Sequence, residues 1–407
     1  MKPTKIIMIL KRICLLGTVS LLLTAHAQDW NTMKTFTPGQ TIQDVIPLNE
    51  STWIASSSLY SGTGLNMKRS TDNGETWTEE YSGYTSQSFR SLASPDGEVS
   101  FAIANEAVLI TDNGTDEWVT VDVPTDVHLR DIYFLNETDG WIGGDAGTIL
   151  KTEDGGATWL DIEATGTVGG SINDIYFIDE SVGFICGFNY FQRTVDGGLT
   201  WTDIEGFEAE HAMYQLQEMH FEGFNTGWVC GDIGYIYKTE DGGLNWTAQE
   251  SGTEVSLQGI SFVTENYGFA CGFDGTIVGT ADGGTTWTVS TTDTDEHIMA
   301  IDFNDSRGIA VSHSGQILFM DLPFSSTNPD FELNLSIFPN PCQSILQVNV
   351  DGLTEISKIE IWDQTGKLIW QETQPNNKID ISVLARGTYI LYVLTSHNTY
   401  TKKFIKE

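Results

Sequence analysis

ThrGluAspGlyGlyAlaThrTrp, residues 152–159, is the stretch whose reading decides the fold, because it recurs. SerThrAspAsnGlyGluThrTrp stands at 70–77, ThrValAspGlyGlyLeuThrTrp at 194–201, ThrGluAspGlyGlyLeuAsnTrp at 239–246 and ThrAlaAspGlyGlyThrThrTrp at 280–287. A looser copy, ThrAspAsnGlyThrAspGluTrp, occupies 111–118. The aspartates Asp72, Asp112, Asp154, Asp196, Asp241 and Asp282 follow one another at 40 to 45 residues. A fixed period of this length, filled with short strands, is the mark of a repeat architecture.

One period shows what each repeat builds. Between 129 and 163, LeuArgAspIleTyrPhe, GlyTrpIleGlyGly, GlyThrIleLeuLysThr and ThrTrpLeuAspIle read as four strands with glycine-marked turns. The aspartate motif is the hairpin between the third and fourth. Its Asp accepts turn amides, the next Gly or Asn tolerates positive φ, and the Trp packs beneath. Each residue has a local duty, so the six aspartates are expected to be scaffold. About seven periods fit between residues 28 and 323. The last has three strands and no motif, whereas AspTrpAsnThrMetLysThrPhe at 29–36 is a strand without a blade. The sequence therefore predicts an all-β chain, a seven-bladed β-propeller closed by its own N-terminus, so that no sheet edge stays open.

The ends carry other information. Lys2, Lys5, Lys11 and Arg12, an apolar run from Ile13 to Leu23, and Ala25-His26-Ala27 read as a signal peptide over 1–27. Residues 28–330 hold 48 acidic residues against 9 basic ones; residues 331–407 hold 8 against 7. That step marks a boundary, with a propeller expected over 28–325, a linker over 326–334 and a small Ig-like β-sandwich over 335–407. The acidity of the first part disfavours nucleic acid and anionic lipid as partners. No transmembrane segment is expected in the mature chain. Cys186, Cys230 and Cys271 take one position in three successive repeats, as small buried residues on second strands would.

The repeats resemble the Asp-box, or BNR, propellers of sialidases and sortilin. With Leu-x-Asp-Ile-x-Phe and Gly-Trp-x-x-Gly added, they are similar above all to the photosystem II stability and assembly factor family of seven-bladed propellers. The resemblance implies the fold; that family's work in chloroplasts and cyanobacteria does not transfer to a secreted chain. Residues 335–407 resemble the type A C-terminal sorting domain of the type IX secretion system of Bacteroidota. The matching positions are Phe338-Pro339-Asn340-Pro341, Gly366, Leu384-x-x-Gly387-x-Tyr389 and the final Lys402, Lys403 and Lys406. This implies passage through the periplasm, recognition by the outer-membrane translocon, and release or attachment to surface lipopolysaccharide.

Chemistry is harder to find. Arg69, Arg90, Arg130, Arg193 and Arg307 make no convincing carboxylate-gripping triad. The histidines show no metal spacing and no triad order, so no catalytic residue, metal or cofactor is assigned. AspThrAspGlu at 293–296 reads as a solvated acidic loop rather than a calcium site. One constellation stands out. The first strand of each repeat offers an equivalent residue, Gln43, Arg90, Arg130, Asn173, Gln217, Gln258 and Met299, six of them polar donors. Since first strands line a propeller's channel, Gln43, Arg90, Arg130, Asn173, Gln217 and Gln258 form a candidate ligand ring at its mouth. The expected function is an exported, non-catalytic binding or scaffolding module at the cell surface or outside. Its ligand would be a protein or glycan. The alternative is a secreted glycan-active hydrolase, sialidase-like or endoglucanase-like. An acid pair about 5–10 Å apart in the funnel favours the hydrolase, an acid-poor polar funnel the binding module.

Overall fold

The computed structural model describes residues 29–35, 40–59, 66–81, 89–112, 118–166, 169–204, 214–322, 335–338, 345–350, 358–363, 367–373, 378–394 and 399–406. Residues 1–28, which include the expected signal peptide, 205–213, 323–334, which include the expected linker, Pro339 to Pro341 and Gly366 lie outside the described residues. The chain divides into two compact units, Met1–Leu322 and Pro323–Glu407.

Six four-stranded antiparallel sheets follow one another through 40–81, 89–121, 129–161, 172–203, 216–249 and 257–289. The seventh runs Ile298–Phe303, Arg307–Ser312, Gln316–Asp321 and then Asp29–Thr35, the N-terminal strand, which pairs antiparallel with Gln316–Asp321. A fifth strand, Thr291–Thr292, adds in parallel to Asp29 and Trp30. The amide and hydroxyl of Thr32 also donate to the Asp293 carboxylate, the hydroxyl at 2.6 Å. Asp293, read from sequence as part of a solvated loop, thus helps to hold the closing strand. Trp30 is 1% exposed and lies edge-on to Phe269 and Phe303 of the sixth and seventh blades.

The sequence pattern explains the packing. Apolar clusters straddle neighbouring blades, as where Trp141 and Ile149 of the third meet Ile172, Ile175 and Phe177 of the fourth. In blades three to seven a Gly at the start of the second strand makes room for a Phe near the end of the first: a Cβ on Gly183 would meet the Phe177 ring at 2.6 Å. The next blade's Phe then stacks on the Trp, at 3.7 Å for Trp141 on Phe177 and 3.5 Å for Trp228 on Phe262.

The aspartate motifs are hairpin braces. Asp196 Oδ1 accepts the Thr200 amide at 2.8 Å and Oδ2 accepts its hydroxyl at 2.7 Å, while the Thr194 hydroxyl donates to Oδ1. Trp201 Nε1 donates to the Gly198 carbonyl at 2.8 Å, and Gly198 takes φ +96°, a left-handed value that suits glycine. Asp72, Asp154, Asp241 and Asp282 make the same amide bond. Residues 113–117, which follow Asp112, lie outside the described residues.

The second unit places Leu335–Phe338, Ile345–Val350 and Lys378–Asp380 in one sheet. Lys358–Asp363, Leu368–Thr373, Gly387–Leu394 and Thr399–Lys406 form another. Both contribute to one core that includes Leu346, Ile361, Ile379, Leu391 and Phe404. Leu384 is buried there, and Gly387 lies 3.6 Å, by its virtual Cβ, from the Tyr389 ring.

Candidate functional site

The seven ring positions share a backbone feature that sequence reading did not supply. Each sits where the pairing of first and second strands slips: between Ile42 and Asp44, Phe89 and Leu92, Leu129 and Asp131, Ile172 and Asp174, Leu216 and Glu218, Leu257 and Gly259, Ile298 and Ala300. A β-bulge leaves one residue unpaired and re-aims its side chain. Gln43, Arg130, Asn173, Gln217, Gln258 and Met299 are half-buried there, and Arg90 is exposed.

Neighbouring members meet. Asn173 Nδ2 donates to the Leu216 carbonyl at 2.8 Å and reaches Gln217 Oε1 at 3.4 Å, and Gln217 in turn donates to Gln215 Oε1. Arg130 pairs with Asp145. Arg90 lies within the fields of both; burial and Arg130 lower its pKa and Asp145 opposes them. Gln258 donates to the carbonyl of its neighbour Leu257. Of the ring positions, Asn173 and Gln217 meet directly, and Arg90 lies near enough to Arg130 to feel its charge.

Directly after the ring residues comes a second set: Asp44, Ser91, Asp131, Asp174, Glu218, Gly259 and Ala300. The innermost strand of a blade has a free edge, and its inward amides need acceptors. The preceding blade supplies them. Asp44 Oδ2 accepts the Leu92 amide at 2.7 Å, Ser91 Oγ the Ile132 amide at 3.4 Å, Asp131 Oδ2 the Ile175 amide at 3.0 Å, and Glu218 Oε2 the Ile260 amide at 3.2 Å. Asp174 takes the Met219 amide in the same way. Five successive blade junctions are clamped so. Gly259 and Ala300 end the series, and Asp302, two residues on, accepts the Ser261 hydroxyl and Phe303 amide instead. The sequence held a signal for these clamps, an acid beside the ring residue in first strands that are otherwise apolar at their inner positions.

Asp174 is buried and the other four carboxyls are half-buried. Burial pushes Asp44 up to about 7 against the pull of the Leu92 and Val45 amides, with Asp131 and Asp302 adding to the rise. Burial takes Asp302 to about 6, opposed by the Phe303 amide, the Ser261 hydroxyl and the charge of His220. Asp174 and Glu218 stand well above the carboxylate range, first through burial and then through the neighbouring acids. Burial likewise pushes up the thiols of Cys186, Cys230 and Cys271, which pair in register with Asp174, Glu218 and Gly259.

With this geometry in hand, comparison with known proteins is direct. The family model described as photosynthesis system II assembly factor YCF48 matches residues 110–169, 161–250 and 245–321, together more than half of the chain. The chain belongs to the YCF48 family. The model of the secretion system C-terminal sorting domain matches residues 336–407. The second unit is thus a sorting domain, and this YCF48-type propeller is a secreted or cell-surface protein that engages the type IX secretion machinery through its tail. Among the described residues no helix is long and apolar enough to cross a membrane.

The photosystem II stability/assembly factor HCF136 of Guillardia theta is 44% identical over 52 residues, 12% of this chain and 13% of that protein. The photosystem II assembly lipoprotein Ycf48 of Synechocystis sp. (strain ATCC 27184 / PCC 6803 / Kazusa) is 29% identical over 80 residues, 19% of this chain and 23% of that one. The matches thus span less than a quarter of either relative. Among solved structures, YCF48 from Cyanidioschyzon merolae gives a TM-score of 0.59 at 16% identity, covering 72% of this chain and 98% of that one. YCF48 bound to D1 peptide gives 0.58 at 17%, covering 72% and 94%. PorZ, an essential surface component of the type IX secretion system of Porphyromonas gingivalis, gives 0.53 at 13%, covering 93% and 59%. At these identities the likeness carries the propeller fold alone.

Proposed function

We propose that the protein is a non-catalytic binding module, carried to the periplasm by its signal peptide and across the outer membrane by its sorting domain. Its ligand site is the ring Gln43, Arg90, Arg130, Asn173, Gln217 and Gln258. The observation that carries this reading is the shared bulge: six polar side chains are re-aimed at one equivalent position of six successive blades. Equivalent backbone irregularities that present donors and acceptors together are what a polar recognition site requires. The solved structure of YCF48 bound to D1 peptide makes a peptide the class to test first.

The hub is not acid-poor, as a plain binding funnel was expected to be. The acids at its centre, however, are committed: Asp44, Asp131, Asp174 and Glu218 each hold a backbone amide of the next blade. A hydrolytic pair needs two carboxyls free to meet substrate and water. This supports the binding reading over the hydrolase. The test is a peptide- and glycan-array screen of the mature protein, run beside a panel of glycosidase substrates. Saturable binding without turnover is expected; turnover abolished by Asp44→Asn would establish the hydrolase instead.

A further inference from the structure

We propose that Asp44, Asp174, Glu218 and Asp302, set around Asp131, form a proton-loaded latch at the hub, which holds the blades' first strands together when protonated and slackens them when it ionises. The inference rests on the ring being the ligand site only in its consequence, which is that binding there becomes pH-dependent.

The geometry carries it. Asp44, Asp131, Asp174 and Glu218 each immediately follow a bulged ring position and bridge to the next blade through an edge amide, and Asp302 lies three residues after Met299. Their contacts run on around the hub: Asp44 holds the Leu92 amide next to Ser91, whose hydroxyl donates to Asp131; Asp131 holds the Ile175 amide next to Asp174; Asp174 holds the Met219 amide next to Glu218; Glu218 holds the Ile260 amide next to Ser261, whose hydroxyl donates to Asp302. Their fields agree with this placement: Asp131 and Asp302 act on Asp44, Asp131 and Glu218 on Asp174, and Asp44, Asp302 and Asp131 on Glu218. The other titratable groups packed here are the thiols of Cys186, Cys230 and Cys271 and the phenols of Tyr133 and Tyr176, none of them cationic. His220 is the base that acts on the set, and it acts on Asp302.

An ionised carboxylate accepts an amide more strongly than a neutral one. Several like charges in one partly desolvated space nevertheless repel, and without cations they do not all ionise together. A neutral carboxyl keeps its clamp through the carbonyl oxygen. The directions of the carboxyl pKa shifts agree, with Asp44 at about 7 and Asp302 at about 6. Raising the pH through neutrality therefore puts charge into the hub, strains the clamps and loosens the bulges that aim Arg130, Asn173 and Gln217.

Amide hydrogen exchange of the full mature chain tests this without any ligand, so its failure is separable from failure of the binding reading. The amides of Leu92, Ile175, Met219 and Ile260 are followed from pH 5.5 to 8.5 and corrected for intrinsic exchange. Their protection is expected to fall at least tenfold, while the Thr158 and Thr200 amides of the aspartate hairpins hold. In Asp174→Asn/Glu218→Gln the fall should shrink markedly. Constant protection in the wild type, or an equal fall in the variant, would overturn the latch. Should the variant not fold, carboxyl carbon shifts of the wild type decide: Asp44, Asp174, Glu218 or Asp302 titrating above pH 5.5 sustains it, and titration of all four below pH 5 overturns it.

Discussion

Glu218 occupies the space that Gly259 leaves open. Its Oε2 accepts the Ile260 amide, and a Cβ placed on Gly259 would lie 3.0 Å from that same oxygen. Gly259→Ala should therefore push the carboxylate off the amide and cost about 1–3 kcal/mol in a denaturant titration. In a Glu218→Ala background the same change should cost less, since the carboxylate is gone and alanine suits a strand better than glycine, although Cys271 Sγ, 3.1 Å from the new Cβ, still crowds it. Additive losses in this cycle would mean that the two residues are not coupled.

The N-terminal strand closes the seventh blade. Removing residues 29–35 strips Gln316–Asp321 of its outer partner and Trp30 of its place against Phe269 and Phe303. A clear drop in Tm is expected for the deletion. Trp30→Ala alone should cost about 3–5 kcal/mol, as truncation of a buried aromatic does. A deletion that melts like the parent would show that the ring closes some other way.

Stability should peak on the acid side of neutrality. Hydrogen bonds from the Thr158 hydroxyl, the Thr200 amide and the Asn245 side chain hold Asp154, Asp196 and Asp241 below the usual range. Their contribution is present above the unfolded value near 4 and is lost as the pH falls through the folded one. Asp44 and Asp302 are raised, to about 7 and about 6, so the folded state binds their protons more tightly than the unfolded chain. Their contribution is complete in acid and is lost as the pH rises through 6 and 7. Melting curves from pH 3 to 9 should show a maximum between roughly 4 and 6; a Tm still climbing at pH 8 would contradict the sign.

Much of the fold was legible because propeller packing is written in short-range signals. The aspartate hairpins, the Phe-to-Gly fit between first and second strands and the unpartnered strand at 29–36 all leave local marks in sequence. The ring positions were legible too, since equivalent residues of a repeat can be aligned by eye. The bulges that aim them were not: a slip in register is a relation between two strands and has no residue type of its own. The carboxylate clamps escaped for a related reason. Asp44 and Leu92 are 48 residues apart in sequence and meet only when two blades stand side by side. The bond from Thr32 to the exposed Asp293 escaped for the same reason, since Thr32 lies at the other end of the propeller sequence.

The measurement that bears most directly on the account is the affinity of an array-identified ligand for two sets of variants. Arg90→Ala, Asn173→Ala and Gln217→Ala alter the ring. Asp154→Ala and Trp201→Ala alter the hairpins and should cost stability, about 3–5 kcal/mol for the tryptophan. Ring variants should lose at least tenfold in Kd with Tm nearly unchanged, and hairpin variants should melt earlier yet bind normally while folded. Unaltered affinity in every ring variant, or lost affinity in stably folded hairpin variants, would move the site off the ring.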